Sequence, residues 1–235
     1  MLDWTRFEYL SFDCYGTLID WETGILGYLR RLLQSKGLDP GDAKILNLYS
    51  DFEPREQASP YRSYREVLAS VGRDFAREFG FEVTVEEANG LAESIRDWQP
   101  FADTVPGLQK LKSRYKLAIL SNIDDDLFAQ TAKRLQVPFD AVVTAQQAHA
   151  YKPSRSNFEL LLARLAIAPD KLLHVAESLY HDVVPASGIG IATVWVNRRQ
   201  GKPASATRLA EAKPDLEVAT VGELADLAVP QQSTD

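Results

Sequence analysis

The sequence contains only one cysteine and one methionine, and it has fewer basic than acidic side chains. One cysteine cannot form an intrachain disulfide, which excludes a disulfide scaffold and makes a reducing cytoplasm the expected location. Lys and Arg number 26 against 33 Asp and Glu, a formal net charge of -7. We therefore expect neither nucleic acid nor an anionic membrane as the main partner. Long apolar runs are also missing, and none approaches the ~20 residues of a membrane-spanning helix.

The composition is otherwise that of an ordinary globular protein. Hydrophobic residues make up 45% of the chain and charged residues 25%, which excludes disordered and fibrous classes. A length of 235 residues suits one large domain or a core with a smaller insert.

Short apolar runs that are rich in β-branched residues predict the strands. They alternate with helical patterns, such as Leu127, Thr131 and Leu135. Strands that alternate with helices of ten or more residues indicate βαβ units on a buried parallel sheet. The sequence thus predicts an α/β fold with a doubly wound, Rossmann-like parallel sheet. The predicted strands are Phe7–Phe12, Leu117–Leu120, Ala141–Thr144, Leu172–Ala176, Ala192–Val196 and, at the edge, Leu216–Val218.

Residues 20–100 break this alternation and predict an all-helical insert. Apolar residues recur there at helical spacing, for example at Ile25, Leu29 and Leu32, without a convincing strand between the helical stretches. We therefore predict a core domain of residues 1–19 and 101–235 and a helical domain of residues 20–100. Within the insert, the polar stretch Asp51–Pro60 predicts a loop or an irregular turn.

Polar side chains stand where the predicted strands end. Ligands of open α/β sheets bind at the carboxyl ends of the strands, so these side chains are the candidates for a site. The first strand runs into Asp13, followed by Tyr15 and Thr17, and the second into Ser121 and Asn122. Lys152 follows the third strand, and Glu177 and Asp182 follow the fourth.

The order and spacing of four motifs resemble the haloacid dehalogenase superfamily. These motifs are FDCYGTLID (12–20), LSN (120–122), YKP (151–153) and VAESLYHD (175–182). The resemblance covers residues 7–198, and the helical insert is similar to the cap domain that closes over the active site in that superfamily. It implies an enzyme with a Rossmann-like core and a helical cap.

The resemblance implies a role for each strand-end residue. Asp13 would be the nucleophile that forms a covalent intermediate, which splits one difficult displacement into two easier steps. Lys152 would orient Asp13 and hold its charge, and Asp182 would help arrange the attack of water. Thr17, Ser121 and Asn122 would bind the anionic group of the substrate through hydroxyl and backbone donors.

Tyr15 separates two branches of the superfamily. Phosphatases carry a second aspartate two residues after the nucleophile, to protonate the leaving group, and Tyr15 stands there in this chain. A phenol with a reference pKa of about 10 is a poor acid, whereas a departing halide needs no proton. The DxYGT pattern resembles the L-2-haloacid dehalogenases, which implies displacement of halide from a short 2-haloalkanoic acid with no cofactor.

Glu177 supports the alternative, a Mg²⁺-dependent phosphatase or phosphoryl-ester hydrolase. Dehalogenases usually have a small neutral residue at this position, and the carboxylates of Asp13, Glu177 and Asp182 are ligands that suit Mg²⁺. The cap arginine that cradles halide in dehalogenases has no clear counterpart here. Possible replacements are Arg55, Arg62 and Arg65.

A third hypothesis is a catalytically silent protein that binds a small ligand under its cap, which the full set of strand-end residues disfavours. In either enzymatic hypothesis the partner is a small anionic molecule, and the chain is a monomer or a homodimer. The remaining side chains that could carry chemistry have simpler interpretations. Cys14 is predicted to be packed, the three histidines to be structural, except that His181 could face the pocket, and Arg198 with Arg199 to form a solvated loop.

Overall fold

The structure is a computed structural model that describes residues 2–58, 60–198, 206 and 210–230. The described strands form one six-stranded parallel sheet in the order β3-β2-β1-β4-β5-β6. The chain reverses its winding direction beside β1, which is the topological switch point where doubly wound sheets bind ligands. The predicted Rossmann-like fold is confirmed. The strands are β1 (Tyr9–Phe12), β2 (Lys116–Ser121), β3 (Ala141–Thr144), β4 (Leu172–Ala176), β5 (Ala192–Val196) and β6 (Leu216–Val218).

Helices cover both faces of the sheet because its central strands are apolar on both sides. Alternate residues of β2 belong to different cores: Leu117 and Ile119 pack into the larger apolar cluster, Ala118 and Leu120 into the smaller one. The helices that follow β1's insert in the chain are α5 (Thr104–Lys112), α6 (Asp125–Leu135), α7 (Ala145–Ala148), α8 (Arg155–Leu165), α9 (Val184–Ser187) and α10 (Val221–Ala228), and a π-helical turn spans Leu179–Val183.

The insert between β1 and β2 is helical, as predicted, among its described residues. Its helices are α1 (Trp21–Ser35), α2 (Asp42–Gln57), α3 (Tyr64–Phe79) and α4 (Val85–Ser94), followed by a 3-10 turn at Ile95–Asp97. Side-chain caps begin several of them: Asp20 caps α1, and Ser63 and Thr84 form capping boxes.

The helical insert of residues 20–100 is called the cap below, and the two connections between it and the sheet lie side by side. The N–H of Asp20 donates to the carbonyl of Gln99 over 2.9 Å, and Ile19 forms an isolated antiparallel bridge with Pro100. The division of the chain into domains at residues 20 and 100 stays a prediction.

The predicted loop at Asp51–Pro60 is wrong over most of its length, because α2 continues through Gln57 with Pro54 inside it. The buried face of α2 explains the continuation. Tyr49 and Phe52 extend the apolar side that begins at Ile45, and the ring of Phe52 packs edge-on against Phe75. This packing outweighs the loss of one backbone hydrogen bond at the proline.

None of the described helices is both long enough and apolar enough to cross a membrane.

Candidate active site

Asp13 lies at the carboxyl end of the central strand β1, and a tight turn follows it. Its N–H donates to the carbonyl of Val175 over 3.0 Å, so the β1–β4 pairing fixes the backbone of Asp13. The turn needs Gly16, whose φ is +95° and whose missing Cβ would lie 3.0 Å from Nε1 of Trp21. This geometry brings Thr17 back to Asp13.

Lys152 joins Asp13 to Asp182. Its Nζ donates to Oδ1 of Asp13 at 2.8 Å, to Oδ1 of Asp182 at 2.6 Å and to the carbonyl of Leu120 at 3.0 Å. An ammonium has three protons, so all three are engaged. The side chain of Lys152 is only 2% exposed. The predicted contact between Lys152 and Asp13 is thus present.

Asn122 fixes the main chain of Lys152. Its Oδ1 accepts from the N–H of Lys152 at 2.7 Å, and its Nδ2 donates to the carbonyl of the same residue at 3.1 Å. The amide of Asn122 therefore works as a clamp on the lysine loop. The residue also lines the cavity described below.

Burial and this shared ammonium set the charge states of the two aspartates. Burial raises the pKa of Asp13 above its ordinary value, and the charge of Asp182 adds to this, while Lys152 opposes it. Burial also acts on Asp182, but Lys152 and His174 outweigh it and hold the pKa of Asp182 at about 2. The pKa of Lys152 is raised, because the two carboxylates outweigh its burial. Asp182 is therefore the more firmly ionised of the pair.

His174 holds Asp182 from inside the sheet. Its Nε2 lies 2.9 Å from Oδ1 of Asp182, and its Nδ1 lies 2.8 Å from Oγ of Ser11 on β1. All three side chains are buried. The predicted structural role of His174 is specific: it is a positioning residue for Asp182. The other carboxylate oxygen of Asp182, Oδ2, is buried with no hydrogen-bond partner in the described part of the chain.

Thr17 lies beneath the site and not in its wall. Its hydroxyl donates to Oδ2 of Asp13 at 2.8 Å and accepts from the N–H of Glu177 at 2.9 Å. Thr17 is fully buried, so its hydroxyl orients the carboxylate of Asp13. The structure therefore gives Thr17 a positioning role in place of the predicted contact with the substrate.

A cavity of about 50 Å³ opens above Asp13, between the sheet and the cap. A single water needs about 10–15 Å³, so the cavity holds a few water-sized groups. Ser121 points a buried hydroxyl into this region, and that hydroxyl has no partner among the described residues. The cavity is lined by Asp13, Tyr15, Trp21, Glu53, Tyr64, Ser121, Asn122, Lys152, Glu177, Ser178, His181 and Asp182.

Tyr15 contributes its ring to the cavity, but its hydroxyl is tied elsewhere. The phenol oxygen lies 2.8 Å from Oγ1 of Thr131 on α6, and the ring packs edge-on against Trp98. Burial raises the pKa of Tyr15 well above its ordinary value. The residue is thus a neutral wall of the site.

The cap supplies two polar residues that the sequence did not predict, Glu53 of α2 and Tyr64 of α3. The hydroxyl of Tyr64 donates to Oε1 of Glu53 at 3.2 Å and lies 3.1 Å from the hydroxyl of Tyr49. Glu53 was missed because it lies in the stretch predicted as a loop. A helical reading of Ile45, Tyr49 and Phe52 would have placed it on the buried face.

The three cap arginines do not line the cavity. Arg55 pairs with Asp74, Arg62 with Glu56 and Arg65 with Asp126 and Glu93. These ion pairs hold the guanidinium groups on or near the surface of the cap. The structure therefore disfavours all three as a halide cradle in this conformation.

The prediction that Arg198 lies in a solvated loop is wrong. It is paired with Asp103 at 2.6 Å, and it donates to the carbonyl of Thr17 at 2.8 Å and lies over the ring of Phe101. The residue thus ties the turn after Asp13 to α5. Its neighbour Arg199 lies outside the described residues.

Two further predictions concern side chains near Asp13. Cys14 is fully buried, and burial raises the pKa of its thiol well above the ordinary value, so it is packed and unreactive as predicted. His181 lines the cavity and accepts or donates a hydrogen bond with Ser178 at 3.2 Å.

The carboxylates do not assemble a metal site. In the described ranges, no group of three or more His, Cys, Asp and Glu side chains is placed to hold a metal ion. The ammonium of Lys152 already neutralises the facing oxygens of Asp13 and Asp182. Glu177 lines the cavity, but the set of Asp13, Glu177 and Asp182 does not fit Mg²⁺ in this arrangement.

A buried carboxylate lies at the switch point of the Rossmann-like sheet, is held by a lysine and is covered by the helical insert. A family model described as haloacid dehalogenase-like hydrolase matches residues 8–190. The chain belongs to this family.

Individual relatives share about a quarter of their residues with this chain. The chain is 27% identical over 198 residues to (S)-2-haloacid dehalogenase 4A of Burkholderia cepacia, covering 82% of this chain and 83% of the relative. It is 27% identical over 159 residues to a glyceraldehyde 3-phosphate phosphatase of Methanothermobacter thermautotrophicus, covering 61% of this chain and 70% of the relative.

Solved structures share the fold. The L-2-haloacid dehalogenase of Xanthobacter autotrophicus with chloropropionic acid covalently bound superimposes with a TM-score of 0.80 at 20% identity, and the match covers 96% of this chain and all of that one (100%). At this identity the likeness shows the fold alone.

Proposed function

We propose that this protein hydrolyses the carbon–halogen bond of a short 2-haloalkanoic acid through an ester intermediate on Asp13. The observation that carries the proposal is the hydrogen bond of Tyr15 to Thr131. It leaves the position two residues after the nucleophile without an acid, which a halide leaving group does not need. The names of the dehalogenase relatives support the same chemistry.

In the first step, an oxygen of Asp13 attacks the α-carbon of the substrate. A C–O bond forms, the C–X bond breaks and its electron pair leaves with the halide. Thr17 and Lys152 hold the carboxylate in place for this attack. Forming the ester removes one negative charge from a buried pair that shares a single ammonium, so the protein environment favours this step.

In the second step, water attacks the carboxyl carbon of the Asp13 ester. Oδ2 of Asp182 is buried with no partner in the described part of the chain, and it can accept the proton of this water. His174 and Lys152 hold the opposite oxygen of Asp182, so Oδ2 is fixed in direction. The ester C–O bond then breaks, Asp182 returns the proton to the departing alkoxide, the 2-hydroxy acid leaves and Asp13 is regenerated with one oxygen from water.

The size of the cavity supports a short substrate. A volume of about 50 Å³ has room for a few water-sized groups beside Asp13, so a compact substrate fits this cavity better than a long chain. The hydroxyl of Ser121, which has no partner among the described residues, can donate to the carboxylate of this substrate.

Single-turnover hydrolysis in ¹⁸O-labelled water tests the mechanism. With enzyme in excess over L-2-chloropropionate, the label is expected in the carboxylate of Asp13 and not in the first lactate released. Mass spectrometry of the peptide that carries Asp13 reads this out. Label in lactate alone would mean direct attack of water on the α-carbon and would contradict the ester.

A second candidate function, hydrolysis of a phosphate ester with Mg²⁺, is favoured by Glu177 in the cavity wall and by the names of two phosphatase relatives. This function requires a different arrangement of Asp13, Glu177 and Asp182, because as described they do not fit Mg²⁺. The test is phosphate release from a panel of small phosphate esters with Mg²⁺. Release that exceeds that of Asp13→Asn would favour this function, and background values would exclude it.

The partner in either function is a small anionic substrate. A cytoplasmic location and a monomeric or homodimeric state remain predictions from the sequence.

A further inference from the structure

Glu53 brings a buried carboxyl group from the cap into the cavity. It lies on α2 and is 7% exposed. Its Oε1 accepts from the hydroxyl of Tyr64 and from the amide of Gln57. Its Oε2 has no hydrogen-bond partner among the residues that the structure describes. One oxygen is therefore anchored by the cap, and the other is available to a molecule in the cavity.

The described cavity wall offers no free lysine or arginine to bind an anionic substrate. Lys152 uses all three of its protons inside the protein, so it has none to donate to a substrate. Among the described residues, no other lysine or arginine lines the cavity. An anionic group must therefore be bound by neutral donors, and an ionised Glu53 would repel it.

The surroundings of Glu53 favour its neutral form. Burial raises its pKa to about 7, and the hydrogen bond from Tyr64 opposes the shift only in part. Among the described residues, Lys152 is the only lysine or arginine in the cavity wall, and its three protons are donated to Asp13, Asp182 and the carbonyl of Leu120. The titratable groups around it are Tyr49, Tyr64 and Tyr151 of the adjoining walls and Asp13, Lys152, Glu177, His181 and Asp182 of the core.

We propose that Glu53 is a specificity-determining residue of the cap, which in its protonated form donates a hydrogen bond from Oε2 to the anionic group of the substrate. The substrate class rests on the proposed function. Glu53 would thus bind the anionic group by a hydrogen bond from a neutral carboxyl group, where a lysine or arginine would bind it by its charge. The enzyme would then bind its substrate best when Glu53 is protonated.

The variant Glu53→Gln separates this role from a structural one. A glutamine keeps an oxygen for Tyr64 and Gln57, and its amide nitrogen replaces Oε2 with a donor that does not titrate. For the wild type, the KM for L-2-chloropropionate is expected to rise about tenfold from pH 6 to pH 8, as the protonated fraction falls. For Glu53→Gln, the KM is expected to stay flat and close to the wild-type value at pH 6.

Two further variants control the experiment. Glu53→Ala is expected to raise the KM at pH 6 by about tenfold with a smaller effect on kcat, because it removes a hydrogen bond to a charged group. Glu56→Gln removes a carboxyl from the same helix that pairs with Arg62, and it is expected to keep the wild-type profile. If Glu53→Gln retains the wild-type rise of KM with pH, another group such as His181 is responsible and the proposal is wrong.

A binding measurement keeps this proposal distinct from the proposed function. Chloroacetate is titrated calorimetrically into Asp13→Asn at pH 8 in two buffers of different ionisation enthalpy. Uptake of about one proton on binding, absent in Asp13→Asn with Glu53→Gln, supports the role of Glu53 even if the wild type releases no halide. Binding without proton uptake overturns that role even if halide is released. If chloroacetate does not bind at either pH 6 or pH 8, the proposal also fails.

Discussion

The hydroxyl of Tyr15 lies 2.8 Å from the hydroxyl of Thr131. The phenol is therefore hydrogen-bonded within the core and does not face the reacting atoms. Tyr15 follows the nucleophile by two residues, where an acid would serve an oxygen leaving group. Because both hydroxyls are largely withdrawn from water, the pair is a structural contact. The position two residues after Asp13, the proposed nucleophile, therefore holds no available acid.

The first prediction concerns this contact. Tyr15→Phe should keep kcat within about threefold of the wild type, whereas loss of a general acid would lower it by about 10²–10⁴-fold. It should destabilise the protein by about 1–3 kcal/mol, because the buried hydroxyl of Thr131 loses its partner. Urea unfolding measures this. The double variant Tyr15→Phe/Thr131→Val should recover much of the lost stability, and a hundredfold lower kcat in Tyr15→Phe would contradict the assignment.

Lys152→Met should abolish turnover and also destabilise the fold. Removing one partner of a buried ionic network costs about 3–5 kcal/mol, since Asp13 and Asp182 would face each other without the ammonium. Lys112→Met is the matched control, because Lys112 forms an exposed ion pair with Asp140, and its loss should cost at most about 1 kcal/mol. Equal melting temperatures for the two variants would contradict the described network.

Replacing the cap arginines Arg55, Arg62 and Arg65 singly with alanine should leave the KM and kcat for a haloacid within about twofold. Their partners are carboxylates of the cap and of α6, and none of them lines the cavity. An exposed ion pair such as that of Arg65 with Asp126 contributes about 0–1 kcal/mol. Steady-state halide release at several substrate concentrations measures both constants. A tenfold rise of KM in one variant would identify a halide cradle that forms only when the cap moves.

The stability of the protein should depend on the ionisation of Glu53. Burial raises the pKa of Glu53 to about 7 in the folded protein against an ordinary value of 4.5, so its contribution to stability is fully present below pH 4.5 and is lost as pH rises through 7. A shift of this size corresponds to about 3 kcal/mol. Glu53→Gln should therefore gain stability relative to the wild type between pH 5 and pH 8. A pH-independent difference in urea unfolding would mean that Glu53 titrates normally.

The sequence predicted the sheet and the residues at its edge because both follow from local patterns. Each predicted strand is present, since runs such as Ala141–Thr144 and Leu172–Ala176 are apolar on both faces and bounded by polar turns. Asp13, Lys152 and Asp182 could be expected together because parallel strands end at one edge. Their shared hydrogen bonds bear this out.

The cap side of the site could not be predicted in the same way. The polar stretch around Pro54 predicts a loop, but tertiary packing of Phe52 against Phe75 keeps it helical. That helix brings Glu53 into the wall of the cavity that Asp13 also lines, an arrangement that depends on how the cap packs on the core and that no local pattern encodes. The same holds for Arg198, whose partners Asp103 and Thr17 are distant in sequence.

The most direct test of the account is halide release from chloroacetate and L-2-chloropropionate with EDTA present throughout, for the wild type and for Asp13→Asn. The account predicts release by the wild type that is unaffected by EDTA and is abolished in Asp13→Asn, because the displacement uses the carboxylate of Asp13. No release in EDTA, followed by phosphate release from esters once Mg²⁺ is added, would contradict it and make Glu177 the decisive residue.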